Sequence, residues 1–311
     1  MIFKKPNFWD YKEPNYLSYL LKPLTLPILI RNLFLKLKYS KKYPIKTICV
    51  GNIYVGGTGK TPLCIKLDKI LKNLDFKTVF VKKDYENQLD EKKLLSLHGE
   101  LISTKSRKDA IEIAIKKKKD LAIFDDGLQD GIIKYDISFV CFNIKTFIGN
   151  GQIIPAGPLR EKMVSLSKYK AVFLNGNGET IDNIESEIKK YNSNIKIFYG
   201  NYQLFDHHNF NKNKNYLIFS GIGNPNSFEK TLINHNFKIC KSLKYPDHYQ
   251  YSAADIIKIK ELAIKLNAEI LTTEKDYMRL DLDKRDNINY IKITLSIKDE
   301  SGLIKFLKES L

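Results

Sequence analysis

Residues 51–61 read Gly51-Asn52-Ile53-Tyr54-Val55-Gly56-Gly57-Thr58-Gly59-Lys60-Thr61, a glycine-rich stretch between an apolar run and a helical pattern. Residues 48–50 predict a buried strand, and Leu63, Leu67, Ile70, Leu71 and Leu74 recur at helical spacing. A strand that turns on glycines into a helix is the opening unit of a parallel α/β sheet. Glycine also permits positive φ and close backbone approach, and the helix N-terminus gathers amide groups around an anion. Lys60 can reach the end of a polyphosphate, the Thr61 hydroxyl can ligate Mg²⁺, and Pro62 in the first turn costs no hydrogen bond. Tyr54, Val55, Gly56, Gly57, Thr58, Gly59, Lys60 and Thr61 are therefore candidate nucleotide-binding residues. The stretch departs from G-x-x-x-x-G-K-[ST], because Tyr54 stands five residues before Gly59 where glycine is usual. The plainer alternative is a glycine turn that only seats a helix on a sheet.

At 311 residues, 43% hydrophobic, the chain is long enough for two domains with cores of their own. Its 52 Lys+Arg against 35 Asp+Glu give a net charge of +17, which favours anionic partners: nucleic acid, an acidic membrane surface or a phosphorylated substrate. No aromatic–basic platform or known nucleic-acid module is apparent, so nucleic acid is least favoured. Much of the lysine, including the run 116–119, reads equally as solvated surface. Cys49, Cys64, Cys141 and Cys240 form no C-x-x-C pair and read as small buried residues in a reducing compartment. Nothing near the start has the apolar core and small-residue site of a secretion signal.

Residues 17–37 are apolar but punctuated by Lys22, Pro23, Pro27, Arg31 and Lys36, and are too interrupted to span a bilayer. Leu17, Leu20, Leu21, Leu24 and Ile28 fall on one helical face, and beyond Pro27 another face collects Leu29, Ile30, Leu33, Phe34 and Leu37. This predicts a proline-broken amphipathic pair, followed by the basic residues Lys36, Lys38, Lys41 and Lys42. Attachment to an anionic membrane surface and packing on the domain core both fit.

Further on, residues 78–81, 121–124, 137–142 and 171–174 predict strands and 106–119 a helix, with a polar, irregular stretch from 82 to 105. Strand 121–124 ends at Asp125-Asp126-Gly127, which delivers two carboxylates to the sheet edge that carries the glycine-rich loop. Either could hold a phosphate-bound Mg²⁺. Residues 149–161 are too rich in Gly and Pro for a helix and end in Arg160-Glu161, a guanidinium available to a phosphate or sugar. Past residue 200 the pattern restarts with strand 216–220, a turn at 221–225, a helix from Ser227, helix 253–266 and strand 269–272. The expectation is an α/β protein of two α/β/α domains: an amphipathic segment 1–40, a P-loop NTPase-like parallel-sheet domain 41–200, and a second α/β domain 201–311.

In order along the chain stand VGNIYVGGTGKTP, DDGLQ, GNGQIIPAGPLRE, FSGIGNPNSF, YPDH and TTEKD, and together they resemble the tetraacyldisaccharide 4′-kinase family over about residues 47–280. The resemblance implies transfer of the γ-phosphate of ATP to the 4′-hydroxyl of a tetraacylated glucosamine disaccharide 1-phosphate, giving lipid IV(A). It also implies a peripheral protein at the cytoplasmic face of the bacterial inner membrane, with ATP and Mg²⁺ as cofactors, and a monomer is expected. By the same resemblance Thr61, Asp125 and Asp126 form the metal site, and Arg160, Glu161 and Glu91 meet substrate or phosphate. His248 of Tyr245-Pro246-Asp247-His248 matches a catalytic histidine, and Asp90 of Leu89-Asp90-Glu91-Lys92 the carboxylate that pairs with it. Such a pair, spanning two domains, would form only on closure.

Two departures from the family pattern are plain. The Ser-Arg-Gly-Tyr-Gly segment expected after Val81 is Lys82-Lys83-Asp84-Tyr85-Glu86, and the histidine expected after Asp-Asp-Gly-Leu-Gln is Asp130. A carboxylate near the phosphate site calls for compensation, for example by Lys82 or Lys83. The rival readings are a P-loop GTPase or metallochaperone-like NTPase, and a decayed, non-catalytic nucleotide-binding protein at a membrane. Thr273-Glu274-Lys275-Asp276 has glutamate where guanine recognition wants lysine, which disfavours GTP.

Overall fold

The computed structural model describes residues 5–37, 40–85, 89–176, 181–205, 207–247 and 249–311. The chain opens with two short helices, α1 (Tyr16–Leu21) and α2 (Leu26–Leu37), joined by a 3₁₀ turn at Lys22–Thr25 that carries Pro23. Then come β1 (Lys46–Gly51), α3 (Lys60–Lys72), β2 (Thr78–Lys83), α4 (Leu89–His98), β3 (Leu101–Thr104), α5 (Arg107–Lys116) and β4 (Leu121–Asp125). They are followed by β5 (Ile137–Asn143), β6 (Ala171–Asn175), α6 (Ile181–Tyr191) and β7 (Lys196–Phe205). The remainder is β8 (Asn215–Ser220), α7 (Pro225–Asn234), β9 (Lys238–Lys244), α8 (Ala253–Lys265), β10 (Ala268–Thr273), α9 (Glu274–Arg279), β11 (Ile288–Ile297) and α10 (Glu300–Ser310).

These elements form two compact units, one of Met1–Asp84, Gly99–Asn201 and Ser296–Leu311, the other of Tyr85–His98 and Tyr202–Leu295. The partition is not the sequential one expected from the chain. Residues 85–98 go to the second unit because α4 lies against α9, and residues 296–311 return to the first. The stretch 82–105, expected to be irregular, contains α4 and β3.

In the first unit the strand order is β3-β2-β4-β1-β5-β6-β7, with every registered pair parallel. Strands β1, β4, β5 and β6 are buried almost throughout, as a parallel sheet covered on both faces requires. Alternation along β5 sends Val140 and Phe142 into one core layer with Ala110, Ile111 and Ile188. Phe139 points to the other layer, where its ring meets Phe306 of α10. The same Phe306 meets Phe198 of β7, and Glu300 pairs with Lys66 of α3 at 2.7 Å. The second unit has the order β9-β8-β10-β11, again parallel, between two apolar clusters. Three cysteines are buried as expected, but Cys240 on β9 is exposed.

The N-terminal helices have an inverted polarity. Ser18 and Thr25 are buried and Asn32 half-buried, three polar residues at seven-residue spacing on the inner side. Tyr16 (76% exposed), Leu20 (71%), Leu24, Leu33 and Phe34 (63%) face outward. A helix pair that only covered a core would bury these residues, so packing accounts for one side of the pair and leaves the outward side open. Ile28 and Leu29 do turn inward, onto Tyr54, Ile153 and Leu159. Among the expected basic residues, Lys38 and the side chain of Lys36 lie outside the described residues.

Candidate active site

The glycine-rich loop is shaped by its neighbours as much as by its glycines. Gly59, the residue before α3, has φ +89°, a conformation that favours glycine, and lets the chain swing into the helix at Lys60. Asn52 is fully buried at the loop base, where its amide donates to the Gly56 carbonyl (3.3 Å) and Thr58 Oγ1 (3.2 Å). The 149–161 loop is zipped along the outer side. Val55 N–H donates to the Pro158 carbonyl (2.9 Å), Arg160 N–H to the Ile53 carbonyl (2.7 Å), and Tyr54 and Leu159 form an antiparallel bridge. Arg160 is thus fixed beside the nucleotide loop by backbone bonds.

Tyr54 ties that loop to its surroundings. Its ring is buried against Ile153 and Leu159, and its hydroxyl donates to Asp10 and accepts from Lys5 (2.8 Å). Burial, reinforced by Asp10, pushes the Tyr54 phenol above its ordinary range. The position that looked like a flaw in the motif anchors the N-terminal segment instead.

Asp125 sits at the end of β4, directly opposite Lys82 of β2 in the sheet register. Its Oδ2 accepts from Thr61 Oγ1 (3.0 Å) and from Lys82 Nζ (2.7 Å). Its Oδ1 is buried with no hydrogen-bond partner. Asp126 follows in a left-handed conformation (φ +62°), uncommon for a residue with a side chain and often found at functional sites. Its carboxylate meets Arg160 Nη1 at 3.2 and 3.3 Å. Burial raises the Asp126 pKa, but Lys60, Arg160 and Lys82 outweigh it and hold the carboxyl below its ordinary value.

Two positions missed from the sequence, and a third named there only as a compensating charge, organise this corner. Arg107, at the start of α5, donates to the Asp126 carbonyl and to the Asp130 carboxylate. Asp130 is therefore an ion-pair partner of a buried arginine. Gln129 donates to the Asn52 carbonyl (2.8 Å) and Glu161 Oε1 (3.0 Å) and accepts from Arg160 (3.4 Å). Glu161, expected to meet substrate, is a buried hub that also accepts from Tyr169 (3.1 Å) and Lys168 (3.0 Å). Lys82 is the third; expected to compensate Asp130, it pairs with Asp125 instead, and Arg107 takes Asp130.

The second unit assembles the other motifs. Thr273 caps α9, and Asp276 accepts from Thr273 Oγ1 (2.6 Å), Tyr251 (2.9 Å) and the Gly221 amide (3.0 Å). Asp90, on α4 and 2% exposed, takes Arg279 Nη2 (2.8 Å) and Nε (3.1 Å), with Lys275 at 3.4 Å. Lys275 also lies 3.5 Å from Glu91 and 3.6 Å from Asp247. Burial lowers the Lys275 pKa, but Glu91, Asp247 and Asp90 more than reverse this and raise it. Glu91 is thus an ion-pair partner inside this cluster. His248 lies outside the described residues, but Asp247 before it belongs to the same unit as Asp90.

A model of the family described as tetraacyldisaccharide-1-P 4′-kinase matches residues 17–100 and 90–311. The tetraacyldisaccharide 4′-kinase of Pelagibacter ubique is 50% identical over 306 residues, covering 97% of this chain and 96% of that protein. That of Rickettsia peacockii is 35% identical over 310 residues, 94% of each chain. The fold is similar to that of LpxK from Aquifex aeolicus, crystallised in complex with ATP: TM-score 0.71, 23% identity, 94% of this chain and 99% of that one. End-to-end matches of this kind displace the GTPase and metallochaperone alternatives. They cover the glycine-rich loop, the Asp125–Asp126 pair and the second-unit cluster alike, and this chain belongs to the tetraacyldisaccharide-1-P 4′-kinase family.

Proposed function

We propose that the chain transfers the γ-phosphoryl group of ATP to the 4′-hydroxyl of a tetraacylated glucosamine disaccharide 1-phosphate, giving lipid IV(A). The observation that carries this reading is the β1–α3 loop, with Lys60 at the helix start and the Thr61 hydroxyl on Asp125, in a chain that its family matches end to end. Phosphoryl transfer asks a protein mainly for in-line positioning and charge neutralisation, with one group to accept the hydroxyl proton. The loop amides and Lys60 hold the phosphates, Arg160 adds charge at the rim, and His248 takes the proton. Asp90, held by Arg279 and Lys275, is the carboxylate assigned to pair with His248.

The donor set fits Mg²⁺. Among the described residues no group of three or more His, Cys, Asp or Glu could hold a metal by itself, while Asp125 retains one unpartnered oxygen beside the Thr61 hydroxyl. Mg²⁺ keeps several waters and takes one or two carboxylates together with substrate phosphates. Thr61, Asp125 and Asp126 would hold it, and when bound it supplies charge neutralisation at the phosphates.

No helix among the described residues is long and apolar enough to cross a membrane. The outward tyrosines and leucines of α1 and α2 support peripheral attachment to an anionic lipid surface at the cytoplasmic face of the inner membrane, where a tetraacylated acceptor resides. A radiolabelled-ATP assay with the lipid disaccharide monophosphate tests the whole reading. Label should enter the lipid, and Lys60→Ala should slow it by about a hundredfold or more. Intact binding without label transfer would leave the decayed-protein reading standing.

A further inference from the structure

The nucleotide corner contains a cation that its chemistry does not require. Lys82 Nζ lies 2.7 Å from Asp125 Oδ2, and the two side chains are 1% and 0% exposed. A charge this deep is costly unless paired, and here each group is the other's partner. The Thr61 hydroxyl shares the same carboxylate oxygen, so the ammonium stands beside the residues assigned to the metal. The neighbouring carboxylate, Asp126, has its own cation in Arg160. Both acidic groups facing the phosphate site are therefore neutralised by side chains of the protein itself.

In a site with two uncompensated carboxylates, a nucleotide triphosphate arriving without a divalent cation is repelled. The metal then contributes much of the affinity. We propose that Lys82 is a resident counter-cation of the nucleotide site, which cancels Asp125 in the metal-free state and lets this chain bind nucleotide phosphates with little dependence on Mg²⁺. The inference rests on the nucleotide-site reading above and adds to it a role for a residue outside the glycine-rich loop. Lys82 is a positioning and charge-balancing group; it is not assigned a step in the transfer.

The test is binding of a fluorescent ATP analogue to the full chain in excess EDTA and in excess Mg²⁺, for wild type, Lys82→Met and Lys82→Arg. Wild type should bind in EDTA within about tenfold of its affinity in Mg²⁺. Lys82→Met should lose about tenfold or more in EDTA and much less in Mg²⁺, and Lys82→Arg should restore the metal-free affinity. Because Lys82→Met leaves a buried carboxylate unpaired, its affinity in Mg²⁺ serves as the check of folding, and the wild-type comparison of EDTA with Mg²⁺ tests the inference without any variant. A loss of about a hundredfold for wild type in EDTA, or unchanged metal-free affinity in Lys82→Met, overturns the inference and leaves the kinase reading intact. No binding in either buffer overturns both.

Discussion

Asp130 shows how a residue can mislead when its partner is distant in sequence. As a bare carboxylate after Asp-Asp-Gly-Leu-Gln it predicts repulsion of phosphate, but in the fold it balances Arg107, which in turn holds the Asp126 carbonyl. Asp130→His should therefore weaken the protein rather than raise its rate. A loss of about 1–3 kcal/mol in urea unfolding is expected, since the arginine beneath stays buried and loses its counter-charge. Glu161 makes a parallel case. A substrate contact could be removed without harm to folding, whereas Glu161→Ala strands Gln129, Tyr169 and Lys168 and should cost about 1–3 kcal/mol. Unchanged stability in that variant would restore the substrate-contact role. Lys60, Thr61 and Asp125 were legible because glycines and an apolar run fix where they stand. Arg107 and Gln129 were not, and Lys82 was read against Asp130 rather than Asp125, because their roles come from pairings between segments distant in sequence.

At the scale of elements, periodicity located the central strands to within a residue or two, and it found the N-terminal helix pair, although the break falls at Lys22–Thr25 with Pro23 and Pro27 lies inside the second helix. It failed for α4, whose leucines are mixed with charges along ten residues and leave little amphipathic contrast. It also failed for β9, a strand mostly exposed at the end of its sheet. Missing α4 hid the setting of Asp90. That helix is tied to α9 by ion pairs, and Lys275→Met should test the tie. The folded Lys275 pKa lies above its ordinary value of 10.5, so its contribution is complete below that pH and is lost as pH rises through the higher folded value. The variant should be less stable by on the order of 2 kcal/mol, by a constant amount from pH 6 to 9, with the gap narrowing only in strong alkali. A gap that widened with pH over that range would contradict the ion-pair account.

For the whole molecule, the N-terminal segment is a built-in part of the first unit. Trp9 is 1% exposed and its indole donates to the Pro155 carbonyl (3.0 Å), Asn150 donates to Ser18 (2.9 Å), and Asn32 to the Arg160 carbonyl (2.8 Å). Deleting residues 1–40 would strip these contacts from the loop that carries Arg160, and any loss of lipid binding would be confounded with damage to the site. Substituting the outward residues is the cleaner probe. Leu20→Asp with Phe34→Asp should abolish flotation with anionic vesicles while leaving phosphorylation of detergent-dispersed substrate within about threefold. Flotation equal to wild type would remove the membrane surface from the account.

The return of α10 to the first unit sets an order of events in the making of the protein. Phe306 fills the space beside Phe139 and Phe198, and Glu300 meets Lys66, yet more than ninety residues of the second unit are threaded between β7 and this helix. A ribosome therefore exposes the nucleotide domain with the part of its sheet around Phe139 and Phe198 uncovered until α10 is made, while the second unit can close earlier. A chain stopped after residue 295 should accordingly retain the second unit's cooperative unfolding and lose that of the first, a difference visible by amide hydrogen exchange.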